Sequence, residues 1–98
     1  MKRVLILGTN AGQADIIDYL KRENWEVHAC AYKREGPGCD MAHYFHLVDT
    51  LNVEAVTLLA KNIDAQLVYS VSSDSAIKTV TKVSEILGLP HFINSEII

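Results

Sequence analysis

Two short stretches hold the residues best suited to chemistry. Gly8-Thr9-Asn10-Ala11-Gly12 breaks an apolar run, and Ser72-Ser73-Asp74 closes a serine-rich turn, "SVSSD", further along. Neither is a catalytic set. No serine has a histidine and an acid placed as a nucleophilic triad requires. The first loop also lacks the carboxylates of a phospho-receiver. A glycine loop does something else: Gly8 and Gly12 let backbone approach a ligand closely, and a helix starting just behind them turns amide groups and a positive dipole end outward. That arrangement suits an anion or a carboxylate. The plainer alternative is a tight turn with close helix packing.

A dinucleotide fits the pattern poorly. Its fingerprint needs glycine at three positions, where this loop has Gly8, Asn10 and Gln13. The acid that should hold the ribose falls near Ala31 and Tyr32, and Lys33 and Arg34 follow, which suits at most the 2′-phosphate of NADP. Cys39, His43 and His46 offer the thiolate and imidazoles that zinc takes. Their spacing matches no closed structural site, and three residues of separation at a strand entrance puts the two histidines on opposite faces. No metal or cofactor is expected in this chain. His28 and His91 flank strands and read as hydrogen-bonded or solvent-tipped. Asp74 suits a helix cap as well as a ligand contact.

The elements that must position these residues alternate. Arg3–Leu7 is a continuous apolar run, as in a strand covered on both faces. Gln13, Ile16, Ile17 and Leu20 recur at helical spacing. Trp25–Ala31 reads as a second strand, Lys33–Asp40 as a loop because of its glycines and proline, and Tyr44–Val48 as a third strand. Asp49 or Thr50 suits the cap of a helix with Val53, Val56, Leu59, Ala60 and Ile63 as its apolar stripe. Gln66–Tyr69 is a fourth strand. Ser72 or Ser73 can cap a helix buried through Ala76, Ile77, Val80, Val83 and Leu87, and stopped by Gly88 and Pro90. His91–Ile93 is a short fifth strand. Alternation without hairpins implies an α/β, doubly wound, Rossmann-like parallel sheet of five strands, order 3-2-1-4-5, in three αβα layers. Ligands of such sheets sit where strand order reverses, here between Gly8–Gln13 and Ser70–Asp74.

Composition bounds the role. The chain has 98 residues, 49% hydrophobic and 21% charged, which is enough for one modest core. Net charge is −3 and the nine basic residues are scattered, against nucleic-acid or membrane-surface binding. Two cysteines make no disulfide framework and point to a reducing, cytoplasmic setting. The opening "MKRVLILG" has an apolar run of about four residues, shorter than a signal peptide needs. At the end, Asn94 is a good cap for "SEII", a helix of one turn that cannot sustain itself. The expectation is that residues 1–98 form the front domain of a longer chain, with an apolar surface that meets a further domain or a second copy.

The order of "VLILGTNAGQADIIDYLKRENWEVHAC" and "GCDMAHYFHLVDTLNVEAVTLLAKNIDAQLVYSVSSDSAIKTVTKVSEILGLP" resembles the amino-terminal domain of ATP-grasp ligases, as in biotin carboxylase and carbamoyl phosphate synthetase. The resemblance rests on the glycine loop, Ala42-His43 before strand three, Asp49, the serine-aspartate loop and "ILGLP". It implies that ATP and magnesium belong to downstream domains, the partners of this one. It further implies that this domain walls the acceptor-substrate site of a carboxylate–amine or carboxylate–thiol ligase. Carried over, Gly8, Thr9, Asn10, Ala11 and Gly12 face substrate, with Ser72, Ser73 and Asp74 opposite. Asn10 departs from the usual second glycine, and Ala11 stands where some relatives carry a substrate-binding glutamate. The competing expectations are a nucleotide- or NADP-binding regulatory module, and an interaction domain whose glycine loop is only architecture.

Overall fold

The computed structural model describes residues 2–71 and 74–90. Four strands, β1 (Arg3–Leu7), β2 (Glu26–Ala31), β3 (Tyr44–Leu47) and β4 (Leu67–Tyr69), pair in parallel in the order β3-β2-β1-β4. Four helices connect or follow them: α1 (Ala11–Arg22), α2 (Gly38–Met41), α3 (Val53–Asn62) and α4 (Asp74–Leu87). This is the expected order as far as strand four. The fifth expected strand, His91–Ile93, lies outside the described residues, as does the helical turn expected after Asn94.

Why the sheet is central follows from its strands. Val4, Leu5, Ile6 and Leu7 have no exposed surface, so β1 is covered on both faces and alternate residues feed two cores. Leu5 and Leu7 join Cys30, Val56, Val68 and Val83, with α3 and α4. Val4 and Ile6 join Val27, Ala29, Ile17 and Leu20, with α1. Each such aliphatic side chain contributes about 1.5–3 kcal/mol by leaving water. Burial also pushes the Cys30 thiol up to about 12, which makes it inert as a nucleophile at neutral pH.

The returns from helix to strand share one device. Asn24 (φ 65°) follows α1 and Asp64 (φ 59°) follows α3. Both are left-handed positions that Asn and Asp tolerate better than other side chains do.

The structure corrects three local expectations. The stretch expected as loop, Lys33–Asp40, ends in a one-turn helix, α2. Pro37 (φ −67°) opens it with a preset helical φ, and Met41 and Ala42 donate amide hydrogens to the carbonyls of Pro37 and Gly38. The cap of α3 is Asn52, whose Oδ1 accepts from Ala55 N at 3.1 Å. Asp49 instead accepts from Leu51 N at 2.9 Å, closing a turn that delays the helix. On α4, Ala76 and Val83 are buried as expected, but Thr79 and Ser84 are buried too, while Ile77, Val80 and Leu87 are only half-buried. The close approach of α4 to α3 and β4 favours small residues at that contact.

Candidate functional site

The carboxyl ends of the strands carry an open cleft of about 400 Å³ lined by Gly8, Thr9, Asn10, Ala31, Tyr32, Lys33, Glu35, Gly36 and Thr50. Three segments build it: the β1–α1 loop, the β2–α2 loop, and Thr50 beyond β3. Each is held by a local reason.

Gly8 prolongs the β1–β2 pairing by donating its amide to Cys30 O at 2.8 Å. Its φ of +111° then turns the chain out of the sheet, a conformation that costs glycine little and other residues much. Thr9 is buried. Its Oγ1 donates to Glu35 O at 2.6 Å, and its carbonyl accepts from Gly38 N at 2.9 Å. Thr9 thus fastens the β2–α2 loop onto the β1–α1 loop. The approach is close enough that a Cβ on Gly36 (φ +88°) would lie 2.3 Å from Thr9 O. Asn10 is the N-cap of α1, its Oδ1 accepting from Gln13 N at 3.1 Å.

The expected residues therefore divide. Gly8, Thr9 and Asn10 come together at the cleft, with the Thr9 side chain committed to the loops. Ala11 and Gly12 lie in the first turn of α1 and do not line the cleft. Ser72 and Ser73 lie outside the described residues. Asp74 begins α4 and is exposed.

The space expected between the β1 and β4 loops is bridged by Gln13, which has 1% of its surface exposed. Its Nε2 donates to Ser70 Oγ at 3.0 Å and to the carbonyl of Val71, and its Oε1 accepts from Val71 N at 3.2 Å. Ser70 Oγ in turn donates to Leu7 O at 2.7 Å.

Sequence reasoning missed Tyr32, Glu35, Gly36 and Thr50 as cleft residues and placed Lys33 only as a phosphate contact. Their one signal is position, just beyond strand ends on the β2–β3 side. Lys33 and Tyr32 are exposed, with the ammonium 5.7 Å from the Tyr32 ring centroid, so both the charge and the ring are free to meet a ligand at the rim.

The cysteine and histidine candidates among the described residues make other contacts. Cys39 Sγ donates to Glu35 O at 3.1 Å, and His43 Nδ1 accepts from Val27 N at 2.9 Å. His46 Nε2 lies 2.9 Å from His28 Nδ1. His28, buried, places its Nε2 2.8 Å from Glu26 Oε2, and Glu26 also meets Arg3 at 3.1 Å. The hydrogen bond from His28 holds the Glu26 carboxyl below its ordinary range, with the His28 and Arg3 charges adding to it against burial. Burial, and then the charge on His28, lowers His46. Among the described residues no group of three or more His, Cys, Asp or Glu is arranged to hold a metal ion. Among them, too, no helix is long and apolar enough to cross a membrane.

No protein-family model and no curated protein matches this sequence. Solved structures do match it in fold. Phosphoribosylglycinamide synthetase from Anaerococcus prevotii superposes with a TM-score of 0.81 and 21% identity, over 91% of this chain and 23% of its own. N5-carboxyaminoimidazole ribonucleotide synthetase from Thermotoga maritima gives 0.72 and 15%, over 88% and 23%. A partial-consensus L-threonine 3-dehydrogenase gives 0.72 and 12%, over 89% and 34%. The chain spans about a quarter of the length of the two synthetases. Its structural neighbours include the amino-terminal domains of ATP-grasp ligases. A dehydrogenase uses the same parallel arrangement.

Proposed function

We infer that this chain is the substrate-side domain of an ATP-grasp ligase joining a carboxylate to an amine or a thiol, and that its cleft walls the acceptor site. The observation carrying this reading is the open cleft floored by the glycine loop, in a fold shared with two nucleotide-precursor synthetases. In the reading, Gly8–Asn10 offer backbone to the acceptor and Lys33 supplies a cation for its carboxylate or phosphate. The fifth strand and the full three-layer arrangement belong to the same proposal. ATP and magnesium bind downstream, because in-line phosphoryl transfer needs a clamp of cations and magnesium-binding acids, and the loop from Gly8 to Gly12 has no lysine. The 98 residues are then inert alone, cytoplasmic, and dependent on the domains that follow.

A second reading, a nucleotide- or NADP-binding module, is favoured by Lys33 at the cleft rim beyond β2 and by the dehydrogenase likeness. Calorimetric titration of the chain with Mg-ATP and with NADPH separates the two. The ligase-domain reading expects no saturable heat with either. Micromolar affinity for NADPH would establish the module instead, and micromolar affinity for Mg-ATP would remove the division of labour.

A further inference from the structure

Gln13 is a long polar side chain at the third position of α1, where the ordinary course is to reach into solvent. Here it is buried, and its carboxamide meets both the N–H and the C=O of Val71, with Ser70 Oγ as a further acceptor. A group with a donor and an acceptor side by side can meet both backbone groups of one residue in this way. On the other side of the same loop, Thr9 ties to Glu35 and Gly38 through its hydroxyl and carbonyl. Two sets of hydrogen bonds, joined by the short backbone stretch from Thr9 to Gln13, therefore tie the start of α1 to the end of β4 and the β1–α1 loop to the β2–α2 loop.

We propose that Gln13 is a positioning residue: its amide locks the β1–α1 loop to the end of β4, and through Thr9 that lock also sets the β2–α2 loop that borders the cleft. The three segments then form one pre-set wall, so a ligand need not spend binding energy ordering them. Calling this wall substrate-facing rests on the function proposed above. The lock itself does not, and it is read in the free chain without any ligand.

The test is amide hydrogen exchange by NMR on the wild type, Gln13→Ala and Gln13→Glu. In Gln13→Ala, the Val71 amide loses its acceptor directly, and the Gly38 amide, bonded to Thr9, is the remote reporter. The protection factor of Val71 is expected to fall about tenfold or more because its buried bond is gone, and that of Gly38 to fall with it as the loop loosens. The Ala65 amide, bonded to Ala60 O beyond α3, serves as control and stays unchanged. Gln13→Glu supplies the chemical check. An ionised carboxylate cannot donate to the Val71 carbonyl, whereas the protonated acid can. Protection at Val71 and Gly38, relative to wild type, should therefore be low at pH 7 and recover at pH 5.

Loss at Val71 with Gly38 unchanged overturns the proposal, because the contact would then be only local. A Glu variant that shows no recovery on acidification overturns it too, since packing rather than the amide would carry the effect. If Gln13→Ala does not fold, Ser70→Ala cuts one arm of the same lock, and the same pair of amides must respond, more weakly. The nucleotide titrations remain independent of all these outcomes.

Discussion

The β1–β4 seam and the β1–β2 cleft lie side by side at the carboxyl ends of parallel strands; among the described residues, a side chain bridges the first and the second is open. At the seam, a buried carboxamide meets the N–H and C=O of Val71, and a buried hydroxyl donates to Leu7 O. At the cleft, glycines and Thr9 draw the β2–α2 loop in at its base and leave the rim open, with exposed Tyr32 and Lys33. The reversal of strand order permits a crevice at the seam, and there the side chain in the first turn of α1 reaches across to Ser70 and Val71.

Substitutions can break or sharpen this contrast. The largest effect is expected on the cleft side at Gly36→Ala. The new Cβ meets Thr9 O at 2.3 Å at a φ of +88°, so a backbone clash adds to left-handed strain and the loss should be about 3 kcal/mol or more. Denaturant melts check it, and an unchanged midpoint would mean that the β2–α2 loop is not seated on Thr9.

Next comes Ser70→Ala at the seam, which leaves the Leu7 carbonyl and one Gln13 donor without a partner, at about 1–3 kcal/mol. The corresponding cut on the open side, Thr9→Val, removes only the bond to Glu35 O in a partly wetted loop and should cost about 0.5–1.5 kcal/mol. Paired melts should rank the seam above the cleft. The reverse order would deny that the seam is the more tightly built of the two.

The smallest effect concerns a region away from both. His46 has its folded-state affinity for protons lowered, so the unfolded chain binds a proton first and stability falls as pH drops below about 6.5. Glu26 acts at lower pH in the same direction: its stabilising share is present above its ordinary value and fades as pH falls through the lowered one. His46→Gln should therefore flatten the melting temperature between pH 7 and 5 while leaving the Gln13 and Thr9 contacts intact. A profile as steep as wild type would remove His46 from the account.

Much of the architecture was legible from local chemistry. A two-sided apolar run such as Val4–Leu7 can only be a central strand, and Ile17 and Leu20 at helical spacing, with basic residues Lys21 and Arg22 in the last turn, can only be a surface helix. Alternation without hairpins then leaves one winding. Gly8 was legible for the same reason, since a turn out of a strand is decided by neighbours in sequence, whereas the capping role of Asn10 came only with the structure. Gln13 was legible as a missing glycine and as a member of the inward stripe of α1, but its role was not, because its partners, Ser70 and Val71, are 57 and 58 residues away.

What the sequence by itself determined is this set of local commitments: the strands, the helices, the glycine turn, and the strand order they force. Only the tertiary structure decided how the loops at the strand ends are joined. That outcome depends on a carboxamide meeting the backbone of Val71 across the chain, on a threonine carbonyl meeting Gly38, and on a loop that glycine allows to approach within 3 Å. Such contacts have no period and no fixed spacing along the chain, so they exist only once the sheet has brought its loops together.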